Sequence, residues 1–165
     1  MMAPMSKRIT LELTYDAPLE AVAAMLGDPA FREEVCQRQH VLRHTVTVTP
    51  YAEAGKVVEI DQVQAARGLP GFATKIVGDE IRIVQRETWA DAQRADVALT
   101  IPGKPGDLTG TARLEQRGAT TVQVVDLTVT VGIPLLGGRI EGLVADMLTK
   151  AMRAEEQVGR DYLSR

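Results

Sequence analysis

Aromatic residues are scarce: Trp89, Phe31, Phe72, Tyr15, Tyr51 and Tyr162 are all that the 165 residues hold. Val, Leu, Ile, Ala and Met must therefore fill the interior. Cysteine is nearly absent too. Cys36 stands alone, which excludes an internal disulfide and suits a reducing, cytoplasmic compartment. No block of basic residues exists and the net charge is −3, so the electrostatic footprint of a nucleic-acid binder is missing. The longest apolar stretches, such as Val131–Leu136, fall far short of a membrane span, and stable membrane insertion is not expected. Residues 1–7 carry no continuous apolar run, so no secretory signal is expected either.

What remains is ordinary globular material, 45% hydrophobic and 25% charged, without repeat or low-complexity linker. One domain over residues 1–165 is expected. Residues 8–14 alternate, with Ile9, Leu11 and Leu13 on one face, and read as a half-buried strand. Asp16 offers an N-cap with Pro18 in the first turn, predicting a short helix over 17–27. Asp28-Pro29 opens a second over 29–37, with Phe31 and Val35 turned inward.

Six strands follow, at 41–49, 56–65, 79–89, 93–102, 107–116 and 120–133, and their apolar faces can be set against one another. Leu42, His44, Val46 and Val48 form one face, with Val48 opposite Val58, Val46 opposite Ile60 and His44 opposite Gln62. A turn at Ala90–Ala92 sets Ile81 against Ile101, Ile83 against Leu99 and Gln85 against Val97. The turn Gly103-Lys104-Pro105-Gly106 sets Ile101 against Leu108, Leu99 against Gly110 and Val97 against Ala112. The last hairpin pairs Ala112 with Val125, Gly110 with Leu127 and Leu108 with Val129. A one-residue slip would expose each apolar face, so agreement among four hairpins argues for one antiparallel meander. The irregular connection after 65 is expected to include a helical turn through Val77, and segment 68–78 reads equally as a flexible lid or an ordinary loop.

Residues 139–164 form the longest helix. Ile140, Leu143, Val144, Met147, Ala151, Ala154, Val158 and Tyr162 trace its apolar stripe, and Glu141, Asp146 and Lys150 are among the residues placed on the opposite face. The fold class is thus α+β: a seven-stranded antiparallel sheet wrapped around a long C-terminal helix, with two short helices after strand 1. One helix face cannot fill the concavity of so wide a twisted sheet. Small inward residues such as Ala112 and Ala151 deepen the shortfall, and an apolar cavity is the expected result.

The stretch Tyr15-Asp16-Ala17-Pro18-Leu19-Glu20-Ala21-Val22, the following Asp28-Pro29 and the long last helix resemble the START and polyketide-cyclase-like superfamily, the helix-grip fold. The stretch Ile133-Pro134-Leu135-Leu136-Gly137-Gly138-Arg139-Ile140-Glu141 is similar to a narrower subfamily of unassigned function. The resemblance covers nearly the whole chain. It implies a hydrophobic ligand more often than a reaction.

Candidate chemistry is thin. His40 and His44, the two histidines, are roughly 13 Å apart along a strand and cannot share a metal. No cofactor is implied, and no catalytic residue is assigned. Gly137-Gly138 lacks the Lys-Ser/Thr of a phosphate loop and reads as a sharp strand-to-helix turn. No Gly-x-Ser-x-Gly elbow exists. His44, Gln62, Gln85 and Glu87 fall on the inward face of consecutive strands. They form either a polar patch that orients a ligand, with His44 or Glu87 as acid or base, or buried groups satisfied by neighbours. Glu87 beside Trp89 must find a partner or a raised pKa. With Leu99, Ala112, Leu127, Leu143, Met147 and Ala151, these residues make up the expected cavity wall. The leading expectation is a non-enzymatic protein that binds a lipid, isoprenoid or polyketide-like molecule. The alternatives are an aromatase/cyclase-like enzyme in the same cavity and an interaction module with the cavity closed.

Overall fold

A computed structural model describes residues 6–165; the reading of residues 1–7 as free of a leader therefore falls largely outside the described part. Strand β1 (Ser6–Tyr15) leads into helices α1 (Leu19–Leu26) and α2 (Pro29–Arg38). Strands β2 (Arg43–Tyr51) and β3 (Gly55–Ala65) follow, then helix α3 (Gly71–Val77). Strands β4 (Glu80–Trp89), β5 (Arg94–Thr100), β6 (Asp107–Arg117) and β7 (Thr120–Thr130) precede the long helix α4 (Gly137–Leu163). The seven strands form one antiparallel sheet in the order β1-β7-β6-β5-β4-β3-β2. An antiparallel meander runs from β2 to β7, its connections hairpins except where α3 links β3 to β4, and β1 joins its end beside β7.

Two of the four expected registers match and two are corrected. Val48 pairs with Val58, and Ala112 with Val125. Between β4 and β5, however, Gln85 pairs with Leu99 rather than Val97. Asp91 explains the shift. Its carboxylate accepts from the backbone N–H of Gln93 at 2.7 Å and of Arg94 at 3.1 Å, building a longer turn than Ala90–Ala92. Between β5 and β6, Leu99 rather than Ile101 faces Leu108. There β5 stops at Thr100, because Pro102 has no N–H for the ladder and the Lys104 N–H closes a turn on Ile101 O. Both slips are of two residues, so the inward faces survive unchanged.

Other expectations are also revised. Pro18, not Asp16, is the N-cap of α1, and the Leu19 N–H is taken by the Gln116 side chain of β6 at 2.7 Å. Asp28 does cap α2, accepting from the Ala30 N–H at 2.9 Å. Leu42, placed inward by alternation, lies before β2 and is exposed. Glu141, expected on the solvent face of α4, is buried because its carboxylate accepts the Val131 N–H at 2.9 Å. That bond fixes the start of α4 against the end of β7. Gly137 has no room for a side chain there, since a Cβ would lie 2.7 Å from Val131 O.

At 1.5 Å per residue α4 is about 40 Å long. It packs chiefly on β1, β7, α1 and α2. Gly159 lets it approach β1, where a Cβ would stand 2.6 Å from the Tyr15 ring. Toward the other half of the sheet the fit loosens. Leu143, Val144, Met147, Leu148, Ala151 and Met152 are only half-buried although apolar. No helix among the described residues is long and apolar enough to cross a membrane.

Candidate ligand cavity

Those half-covered side chains of α4 face a cavity of about 200 Å³ between the helix and the sheet. By volume it has room for on the order of a dozen waters. Ile60, Ile81, Ile83, Val97, Leu99 and Val129 supply much of its sheet wall. Helix α3 and Leu69 cover one side, and Arg139 stacks over the Phe72 ring at 4.2 Å, joining α3 to the first turn of α4. Lys104, Pro105 and Asp107, in and just after the β5–β6 turn, line the same space yet are exposed, so the cavity opens on that side.

The residues proposed from the sequence divide. Gln62, Gln85, Glu87, Leu99 and Ala112 line the cavity from the sheet. Leu143, Met147 and Ala151 line it from α4. The other three are not among its lining residues. His44 is half-buried on the edge strand β2, opposite Gln62. Trp89 is buried just beyond Glu87, and Leu127 is packed into the solid part of the core.

At one end the wall is charged. Arg32 of α2 is 1% exposed and donates through both terminal nitrogens to Glu87 of β4, at 2.8 and 3.1 Å. Its Nη1 also reaches Glu155 of α4 at 3.0 Å, and its Nε donates to Leu26 O at 2.8 Å. Glu87 further accepts from Gln85 at 2.6 Å and from the Trp89 indole at 2.9 Å. Lys56 closes the group, stacked 5.6 Å over Trp89 and bonded to Ala23 O at 2.7 Å.

The electrostatics follow from burial. Desolvation works against the Arg32 cation, but Glu87 and Glu155 outweigh it and hold the guanidinium above its ordinary value. Burial lowers the Lys56 ammonium, helped by Arg32 and opposed by Glu87. Glu155 is pushed up to about 7, first by burial and further by Glu87, with Arg32 pulling the other way. One cation cannot fully compensate two buried carboxylates, and Glu155 carries the deficit. A cavity-lining carboxyl that holds its proton near neutrality can give or take one there.

Arg32 and Glu155 were missed in the sequence, although a signal existed. Glu87 on an apolar face demanded a cation, and Arg32 sits beside the inward pair Phe31 and Val35 on α2. Glu155 lies four residues beyond Ala151, on the inward stripe.

A twisted sheet gripping one long helix, with an apolar space carrying a polar end between them, defines a protein of helix-grip fold. Solved structures agree on the fold. A Thermus thermophilus protein, TTHA0849, is similar at a TM-score of 0.66 and 20% identity, over 94% of this chain and 95% of that one. The Zhui aromatase/cyclase of Streptomyces sp. R1128 is similar at a TM-score of 0.62 and 13% identity, over 98% and 95%. The chain belongs to the family described as protein of unknown function DUF2505, whose model matches residues 10–163. Among sequence relatives, the uncharacterized protein Rv0481c of Mycobacterium tuberculosis is 28% identical over 109 residues, 61% of this chain. The match spans 62% of that protein's own length.

Proposed function

We propose that the protein binds a small hydrophobic or amphipathic molecule, of lipid, isoprenoid or polyketide-like character, in the cavity between α4 and the sheet. The observation that carries this reading is the set of half-buried apolar side chains on α4, among them Leu143, Met147 and Ala151, that line open space between helix and sheet. Apolar surface left uncovered inside a domain is stabilised by filling it, at about 25 cal/mol per Å² removed from water. The lone, buried Cys36 supports a reducing, cytoplasmic setting for such a protein.

Native mass spectrometry of freshly purified protein, with thermal shifts against a lipid panel, tests the proposal. Co-purifying ligand and a shift that Ala151→Phe abolishes are expected, since the phenyl ring fills the space beside Met147. No ligand and no shift from any panel member would sink it.

Glu155 favours a second reading, in which an aromatase/cyclase-like reaction uses its carboxyl as acid or base. The Zhui aromatase/cyclase shares the fold, which by itself assigns no chemistry. Glu155→Gln abolishing turnover of a bound substrate while sparing its affinity would support this reading over simple carriage.

A further inference from the structure

The charged cluster spends its charges on itself. Four of the five Arg32 N–H donors are taken up by Leu26 O, Glu87 and Glu155, and Glu87 accepts from Arg32, Gln85 and Trp89. A ligand carboxylate or phosphate entering the cavity would find no uncommitted cation among the lining residues at this end, since Lys56 is not one of them. It would meet the carboxyl groups of buried Glu87 and half-buried Glu155 instead. The other charged lining residues, Lys104 and Asp107, are exposed at the opening and leave the interior neutral.

What the interior offers is amide. Gln39, Gln62, Gln64, Gln85 and Gln123 all line the cavity. Gln123 is the telling one. It is 4% exposed, and its Oε1 is buried with no hydrogen-bond partner among the described residues. It stands on β7 between Leu13 of β1 and Leu114 of β6, neither of which can satisfy it. A buried amide oxygen left unpaired is costly and calls for a partner. A side-chain amide meets hydroxyl and carbonyl groups equally well, since it both donates and accepts.

We infer that the ligand's buried end is uncharged and hydrogen-bonding, a hydroxyl or carbonyl group received by the Gln123 amide, and that anionic amphiphiles such as fatty acids are rejected. The inference rests on the cavity being a ligand site. It narrows the ligand to alcohols, phenols, ketones and their like. Arg32 serves as the internal counter-ion of Glu87 and Glu155 and does not receive the ligand.

Calorimetric titration at pH 7.5 with matched probes tests this: 2-naphthol, 2-naphthoate, 2-naphthylmethylamine and 2-methylnaphthalene, and the flexible set 1-decanol, decanoate and decylamine. Within whichever set binds, the neutral alcohol is expected to bind at least about tenfold tighter than the carboxylate, which would be buried without a counter-ion. In the Gln123→Leu variant the advantage of 2-naphthol over 2-methylnaphthalene should fall by about fivefold, the worth of one neutral hydrogen bond. That variant removes an unsatisfied group, so it is expected to fold with unchanged circular dichroism. Carboxylate or amine binding as tightly as the alcohol would overturn the neutral-head inference and leave the ligand site standing. An unchanged ratio in Gln123→Leu would overturn the role of Gln123. Binding of no probe from either set would count against the ligand site itself, and the inference would fall with it.

Discussion

Glu155→Gln is the perturbation that most directly interrogates the buried charge cluster. Burial and Glu87 raise this carboxyl to about 7, from an ordinary value of 4.5. The folded protein therefore binds a proton between those two values that the unfolded chain has already released. Stability is fully present below the unfolded value and is lost as pH rises through 7. Each pH unit of difference is worth about 1.36 kcal/mol, so the loss between pH 5 and pH 8 is roughly 2–3 kcal/mol from this group alone. Glutamine keeps the shape and can still accept from Arg32, but it has no proton to lose. Urea unfolding at pH 5, 6, 7 and 8, followed by Trp89 fluorescence, gives the stability of both proteins. The difference between variant and wild type should grow by roughly 2–3 kcal/mol in the variant's favour across that range. Parallel curves would refute the account, and would mean that Arg32 satisfies both carboxylates.

Two further predictions concern the frame around the cavity. Arg32→Met strands Glu87 and Glu155 in the interior and should cost about 3–5 kcal/mol by urea denaturation at pH 7; adding Glu87→Gln to that variant should recover part of the loss. Gly110→Ala should severely destabilise the fold or prevent soluble expression, because its Cβ would lie 1.9 Å from Asp126 O in the neighbouring strand; a melting temperature within a few degrees of wild type would show that the sheet can open there.

Parity explains what could be read in advance. Side chains in a strand alternate with a period of two, so the inward set of β4, β5 and β6 is the same whether Gln85 meets Val97 or Leu99. The face was legible while the pairing was not. Pairing depended on where Asp91 folded its carboxylate over the turn and on where Pro102 ended the ladder, local chemistry that apolar patterning does not register. The cavity was likewise legible as a shortage of volume, through the width of the sheet and the small inward residues Ala112 and Ala151. Its charged end was not, because Arg32 lies 55 residues from Glu87 and 123 from Glu155. No local window contains all three residues. Glu87 alone announced that something must neutralise it.

That separation governs how the molecule is assembled. The charge cluster draws on the second helix, the middle of the meander and the last helix, while the first strand pairs only with the seventh, Ser6 against Thr130. A chain emerging from the ribosome holds the inner edge of β1 unmatched until β7 arrives, and Arg32 without Glu155 until α4 does, since loop closure over such distances precedes any reward. The sheet is completed by β7, and the container is closed only when α4 lies across it.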